Sequence, residues 1–188
     1  MIADAKKEER YTYADYYSWD DGKRLELIDG VAYEMPLAPG RRHQQTIGAF
    51  HLQIGSFLEG KPCKVYMAPL DVRLNADGAD DTVVQPDVLV VCDRAKLDEH
   101  GCKGAPDLVI EVVSPPSASR DFIKKFQVYL RAGVREYWVA DPHEKVVQVF
   151  MLEDGRYAAS AFEGEDKIPV GVLPGCVVDL RDVFVDDY

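Results

Sequence analysis

The stretch Pro106-Asp-Leu-Val-Ile-Glu-Val-Val-Ser-Pro115 decides how this chain is read. Its middle, Asp107 to Val113, is an apolar strand with a glutamate in it. Alternation along a strand puts Asp107, Val109, Glu111 and Val113 on one face, and Leu108, Ile110 and Val112 on the other. Burying an unpaired carboxylate is costly, so Glu111 amid Leu, Val and Ile needs a cation nearby. A second apolar run, Gln85-Pro-Asp87-Val-Leu-Val-Val-Cys92, opens on an aspartate. A helix carrying Lys124 and Lys125 follows the first. A metal ion and a lysine together would supply the missing positive charge.

Spacing selects which carboxylates can share an ion. Asp107 and Glu111 are four residues apart, roughly 13 Å along one strand, too far for one small cation. Asp87 is the candidate partner, arriving on a neighbouring strand where paired residues lie about 5 Å apart. Mg²⁺ takes one or two carboxylates plus water and phosphate oxygens, so Asp87, Glu111 and the Val112 carbonyl would suit it. The structural alternative is that Asp87 caps a strand after Pro86 and Glu111 pairs with an arginine in the core.

On the helix that follows, Phe122, Phe126, Tyr129, Leu130 and Gly133 centre the packed face. Lys125 lies beside that face and can reach inward, whereas Lys124 points away into solvent. The competing partner for Lys125 is Asp121, at i−4. Glu26 sits between Leu25 and Leu27, positioned either to hold a metal-bound water or to answer Arg24 or a tyrosine across the strand. His43 falls on the apolar stripe Ile47, Phe50, Ile54, where it is either a core residue or a catalyst. His51, His100 and His143 form no ligand spacing with it.

The remaining pattern completes a mixed α/β chain. Tyr11 to Trp19 forms a short aromatic helix. Arg24–Ile28 and Val31–Met35 flank Asp29-Gly30, a two-residue hairpin turn. A helix runs from Pro39 and Gly40 to about Leu58, followed by strands near 64–67, 70–74, 83–92 and 107–113. The second long helix spans Ser117 to Ala132, capped by Ser117 or Ser119 and ended by Gly133 at C′. Strands at 136–140 and 146–151 follow, and Tyr157–Phe162 and Cys176–Leu180 complete a sheet edge. The 188 residues fit one domain, with residues 1–10 a flexible leading segment.

Composition narrows the function. A hydrophobic fraction of 47% with 29% charged residues is ordinary for a globular chain. No signal peptide or membrane-spanning run is visible, and Cys63, Cys92, Cys102 and Cys176 are scattered. They read as reduced thiols of a cytoplasmic protein, with no disulfide frame or zinc site. The formal net charge of −11 argues against non-specific nucleic-acid binding. Residues 114–135 nevertheless carry Arg120, Lys124, Lys125, Arg131 and Arg135 against Asp121 alone, a local basic patch able to meet a phosphate backbone.

Taken in order, these residues resemble a known family. Arg24-Leu-Glu-Leu-Ile-Asp-Gly30, His43, Gln85-Pro-Asp-Val-Leu-Val90, Pro106–Pro115, Asp121-Phe-Ile-Lys-Lys125 with Tyr129, and Ala132-Gly-Val-Arg-Glu-Tyr-Trp-Val-Ala-Asp-Pro142 are similar to the Uma-two family of the PD-(D/E)XK nuclease superfamily. The resemblance runs from about Tyr11 to Phe184. It implies a restriction-endonuclease-like core, a mixed central β-sheet flanked by helices, and Mg²⁺-dependent hydrolysis of DNA, with Mn²⁺ able to substitute. It aligns Asp87 with the PD aspartate and Glu111 with the second acid. The superfamily lysine two residues later falls on Val113, and the family's own lysine aligns with Lys125 on the next helix. Glu26 and His43 also match family positions. Phe122 departs from the pattern, standing where a basic residue is common.

The expectation is a metal-dependent DNA endonuclease in which Asp87, Glu111 and the Val112 carbonyl bind metal and Lys125, Glu26 and His43 assist. Its rivals are a non-catalytic binding module on the same fold and a hydrolase of a small phosphorylated metabolite. A homodimer is expected, because Glu136-Tyr-Trp-Val-Ala140 reads as surplus apolar surface and duplex DNA presents two equivalent strands.

Overall fold

The computed structural model describes residues 9–20, 22–35, 40–113 and 118–185, the side chains of 118–122 excepted. The proposed caps Ser117 and Ser119, the Asp121 pairing, the Phe122 phosphate contact, Pro39, and residues 1–8 of the leading segment lie outside that description. Glu9 and Arg10 lie inside it: the Arg10 guanidinium donates to the Asp29 carbonyl at 3.2 Å.

Helix α1 (Tyr13–Ser18) starts at Thr12, whose hydroxyl and backbone N–H both donate to Asp15. A hairpin of β1 (Leu25–Ile28) and β2 (Val31–Glu34) follows. Its turn residues Asp29 and Gly30 have φ of 50° and 77°, the left-handed pair that a type I′ turn requires. The long helix α2 (Arg41–Leu58) buries Ile47, Phe50, Ile54 and Leu58, the stripe expected from its spacing. Next come β3 (Lys64–Met67), β4 (Asp71–Arg73), β5 (Val83–Val84), β6 (Val88–Val91), β7 (Leu97–Asp98), β8 (Gly101–Lys103) and β9 (Leu108–Val112). Helix α3 (Ala118–Ala132) ends at Gly133, at φ 81°, whose N–H returns to the Leu130 carbonyl at 3.1 Å. The chain finishes with β10 (Glu136–Asp141), β11 (Val146–Glu153), β12 (Arg156–Glu163), β13 (Lys167–Pro169), β14 (Val177–Asp179) and α4 (Leu180–Val183).

The mixed α/β fold with helices flanking sheet is the one expected, its strands divided between two six-stranded sheets. One has the order β2-β1-β5-β4-β8-β7 and the other β12-β11-β10-β9-β6-β3. The run 83–92, read as one strand, is two: β5 belongs to the first sheet and β6 to the second. Pro86 stands between them and offers no N–H to a ladder, so the chain leaves one sheet there and joins the other. The short strands β7, β8 and β13 carried no period long enough to read. Tyr157–Phe162 does form a sheet edge, within β12, whereas Cys176–Leu180 contributes β14 to a separate two-stranded ribbon with β13 and then turns into α4.

The second sheet is covered on both faces. Helix α2 packs Phe50 and Ile54 against Val88, Val90, Ile110 and Trp138 on one face. Helix α3 and the first sheet cover the other, where Leu89, Val109 and Tyr137 meet Val128, Tyr129 and Val72. Strand β10 is therefore interior, with Glu136 through Ala140 all buried. The apolar surplus read into that segment is core, as expected of a parallel strand buried on both faces, and it gives no support to a dimer. Strand β12 is the open margin of this sheet, with most of its eight residues exposed.

The cysteines correct the sequence reading. Cys63 and Cys92 form a disulfide across the β3–β6 pair, just beyond the Lys64↔Val91 register, while Cys102 and Cys176 are free and buried. Their separation of 29 residues hid the pairing, and the cysteine ground for a cytoplasmic location falls with it. Closing a loop of that length in the unfolded chain is worth about 3 kcal/mol. Reduction should lower the unfolding free energy by that order, read by urea titration with and without dithiothreitol. No helix among the described residues is long and apolar enough to cross a membrane.

Candidate active site

Pro86 sends the chain from one sheet to the other, and that junction assembles the candidate residues. Strand β6 pairs antiparallel with β9 in the register Val88↔Ile110 and Leu89↔Val109. Continuing that register by one position sets Asp87 opposite Glu111. Both fall on the face shared by Leu89 and Val109, the side that α3 and the first sheet cover. From the first sheet, β1 brings Glu26 to the same point.

Lys125 joins the two glutamates. Its ammonium lies 2.9 Å from Glu26 Oε1 and 3.0 Å from Glu111 Oε1. Tyr129, one helical turn on, donates its hydroxyl to Glu111 Oε1 at 2.6 Å. The backbone N–H of Gln85 donates to Glu26 Oε1 at 2.9 Å. Gln85 is itself held by its side chain, which donates to Asp71 at 2.9 Å and accepts from Arg24 at 3.1 Å. Asp87 Oδ2 accepts the Val112 N–H at 2.8 Å and sits 3.3 Å from His43 Nε2. His43 reaches it from the first turn of α2, and its Nδ1 is buried with no hydrogen-bond partner among the described residues.

The structural alternatives can now be weighed against these contacts. Glu111 pairs with Lys125 and Tyr129, and with no arginine among the described residues. Glu26 answers Lys125 in place of Arg24, which turns to Gln85. Asp87 does brace the Val112 backbone, as a strand cap would, yet its Oδ1 makes no hydrogen bond among the described residues. Lys124 is exposed, and its ammonium also rests 3.9 Å from the centre of the Tyr33 ring, a cation–π contact. Asp107 stands at the far end of β9, binding Arg135 and the Cys92 N–H.

The electrostatics are those of a site short of positive charge. Three carboxylates share one lysine and one histidine. Burial pushes the Glu111 carboxyl up to about 7; Asp87 and Glu26 add to the rise, while Lys125 and the Tyr129 hydroxyl oppose it. Burial works against a charged Lys125, but Glu111 and Glu26 overcome it and hold the ammonium firmly protonated. Burial likewise opposes a charged His43, and the Asp87 carboxylate and Val112 carbonyl outweigh it, leaving the imidazole above its ordinary value. Burial, reinforced by Glu111, raises Tyr129 well above the usual phenol range, so it remains a donor.

The donor set fits a hard divalent cation of the Mg²⁺ type. Asp87 Oδ1 and Glu111 Oε2 are without hydrogen-bond partners among the described residues, and the Val112 carbonyl belongs to the residue that follows Glu111 on β9. Two carboxylates, a carbonyl and water satisfy Mg²⁺. Among the described residues no group of three or more His, Cys, Asp or Glu side chains is placed to hold a metal, which does not suit a transition-metal cage.

All five candidate residues, Asp87, Glu111, Lys125, Glu26 and His43, thus meet in one region. Two further residues contribute to the site. Tyr129, on the packed face of α3 and i+4 from Lys125, shares that lysine's side of the helix. Gln85 acts through its backbone N–H, which no side-chain pattern reveals. Of the basic residues at 114–135, Lys125 is buried on the glutamates, while Arg131 and Arg135 stay exposed at the surface, paired with Asp29 at 2.7 Å and with Asp107.

Known proteins share this arrangement of the chain. The family model Uma2, described as "Putative restriction endonuclease", matches residues 13–181. A crystal structure of "a putative nuclease belonging to DUF820 from Anabaena variabilis ATCC 29413" superposes with a TM-score of 0.75 at 21% identity, over 93% of this chain and 97% of that one. At that identity the likeness speaks for the fold. No curated protein matches the chain.

Proposed function

Because the chain belongs to the Uma2 family, we propose that it is a metal-dependent endonuclease hydrolysing phosphodiester bonds in DNA. The observation that carries this reading is the excess of carboxylates over cations at the sheet junction among the described residues, where Asp87 Oδ1 and Glu111 Oε2 have no hydrogen-bond partner. Those two side chains and the Val112 carbonyl would hold Mg²⁺, or Mn²⁺ in its place, whose chemistry is to polarise a phosphate and acidify water.

The chain's own groups do the rest. Lys125 places a fixed positive charge beside Glu111, where it stabilises charge developing on a phosphate oxygen. Glu26 and Tyr129 hold that ammonium and carboxylate in place, so little reorganisation is needed when substrate arrives. Gln85 fixes Glu26 from the backbone. His43 braces Asp87 Oδ2 from α2, the oxygen that the Val112 N–H also holds.

The test is cleavage of plasmid and linear DNA with Mg²⁺, Mn²⁺ or EDTA. Cleavage that persists in EDTA, or its absence with both metals, sinks the proposal. The acid shift of Glu111 adds a pH signature. Metal binds the ionised carboxylate, and in the metal-free protein that form is lost as pH falls through about 7. Mn²⁺ affinity measured by calorimetry should therefore level off above that pH and weaken about tenfold per unit below it. A flat profile from pH 8 to pH 5.5 would remove Glu111 from the metal site.

The −11 overall charge favours a second reading, a hydrolase of small phosphorylated metabolites. Turnover of bis(p-nitrophenyl) phosphate without any on DNA would select it. A homodimer is proposed on the symmetry of duplex DNA alone, and a monomer mass by light scattering at micromolar concentration refutes it.

A further inference from the structure

Strand β12 ends the site-bearing sheet, with β11 on one side and no strand on the other. The hydrogen bonds around it show which of its backbone groups face outward. The Gly164 N–H donates to the Lys145 carbonyl at 3.2 Å, one step past the Val146↔Glu163 pair. The Leu152 N–H donates to the Arg135 carbonyl at 2.9 Å, so the residue opposite Tyr157 bonds away from β12. Bonded and non-bonded pairs alternate along an antiparallel ladder. Arg156, Ala158, Ser160 and Phe162 therefore bond to β11, while Tyr157, Ala159, Ala161 and Glu163 turn their N–H and C=O groups outward.

Asp166 closes one end of that outward row. Its side chain accepts the Glu163 N–H at 2.9 Å, and its own N–H donates to the Glu163 carbonyl at 3.1 Å. At the other end the chain turns back through Asp154 and Gly155, at φ of 47° and 77°. Among the described residues this leaves Tyr157, Ala159 and Ala161 with no strand to bond, a row symmetric about Ala159. An antiparallel strand that satisfies it needs outward groups at the same two-residue spacing, and β12 itself has them.

We infer that β12 is the docking edge for a second copy of this chain, the two strands pairing antiparallel about a two-fold axis at Ala159. Ala159 meets Ala159, and Tyr157 of each copy meets Ala161 of the other, every pair exchanging both main-chain bonds. The side chains agree with that register. Ala158 and Ser160, both small and exposed, face each other at a non-bonded pair, where strands come closest. Arg156 faces Phe162, a cation beside a ring. The antiparallel sense also sets the basic Arg156 end of one strand against the acidic Glu163 end of the other. Tyr157 stays within its own copy, its hydroxyl on the Val134 carbonyl at 2.9 Å. The axis stands normal to the sheet, so the joined sheet carries Asp87 and Glu111 of both copies on one face. This gives a homodimer a surface, on grounds that involve neither DNA nor metal.

The experiment measures the mass of the full chain by light scattering at micromolar concentrations, without substrate or metal. A dimer is expected. Ala159→Lys should weaken it by at least about tenfold, because two lysines would stand directly opposite each other. Ala159→Pro should abolish it, since proline removes an outward N–H that β11 does not use and an edge strand tolerates it there. Under mild oxidation Ala159→Cys should form a disulfide-linked dimer, because bonded pairs hold their Cα atoms about 5.5 Å apart. Ala161→Cys, on the same face, should not, since its two copies would stand roughly 13 Å apart along the strands.

A monomer at every concentration overturns the inference. So does a dimer that survives both Ala159→Lys and Ala159→Pro, which would place the interface elsewhere. Cross-linking as fast at residue 161 as at residue 159 overturns it through the register. A dimer that meets these tests in a protein that cleaves no DNA would sink the nuclease reading while sustaining this one.

Discussion

Glu111→Gln should reduce metal-supported DNA cleavage by about 10³-fold, the scale of losing a charge-stabilising group, while leaving the metal-free fold at least as stable as before. The reason is the sharing of Lys125. Glu26 Oε1 lies as close to the ammonium as Glu111 does, so the lysine keeps a carboxylate partner after the substitution. Neutralising Glu111 also removes a buried charge facing Asp87 and Glu26, and the glutamine still accepts from Tyr129. The check pairs thermal denaturation in EDTA with Mn²⁺-supported cleavage. A variant that is clearly destabilised yet still cleaves DNA would make Glu111 a structural residue.

Lys125→Met is expected to have the opposite balance. Removing the one cation shared by Glu26 and Glu111 leaves two buried carboxylates uncompensated, a loss of about 3–5 kcal/mol in the metal-free protein. Two conditions should restore part of it. Mn²⁺ supplies positive charge to the same acids, and mild acid protonates them. For this variant stability should rise as pH falls from about 8 to about 6, because the Glu111 carboxyl, raised by burial, binds a proton more readily folded than unfolded. Turnover should remain at least about 10²-fold down even where metal has restored the fold. Chemical denaturation across pH, with and without Mn²⁺, reads both effects. Stability equal to the parent's at pH 8 without metal would show that the lysine does not hold this cluster together.

The difference between these two substitutions was only partly legible in the sequence. The rise along a strand ruled out Asp107 and left Asp87 as the partner of Glu111, and the helical wheel preferred Lys125 to Lys124, because both inferences use spacings fixed by local geometry. Glu26 was visible as a carboxylate among leucines, but its partner was not. That partner depends on the chain changing sheets at Pro86, a long-range event with no local period. The same limit hid the Cys63–Cys92 bridge and turned interior β10 into apparent surface, since an apolar run reads alike whether a neighbour strand or solvent lies beside it. Lys124 was right in direction and incomplete in contact, since the ring beneath it comes from the hairpin strand β2.

Strand β12 leaves the site-bearing sheet unfinished. Its eight residues, Arg156-Tyr-Ala-Ala-Ser-Ala-Phe-Glu163, include four small ones in succession, and charge stands only at the two ends. Proline, lysine and bulges are the usual guards of such a margin, and the middle of this strand has none. Backbone groups there can template an incoming extended segment whatever its side chains. The open edge is thus a standing liability in concentrated solution, where chains add strand to strand and solubility is set by main-chain pairing while the folded interior stays intact.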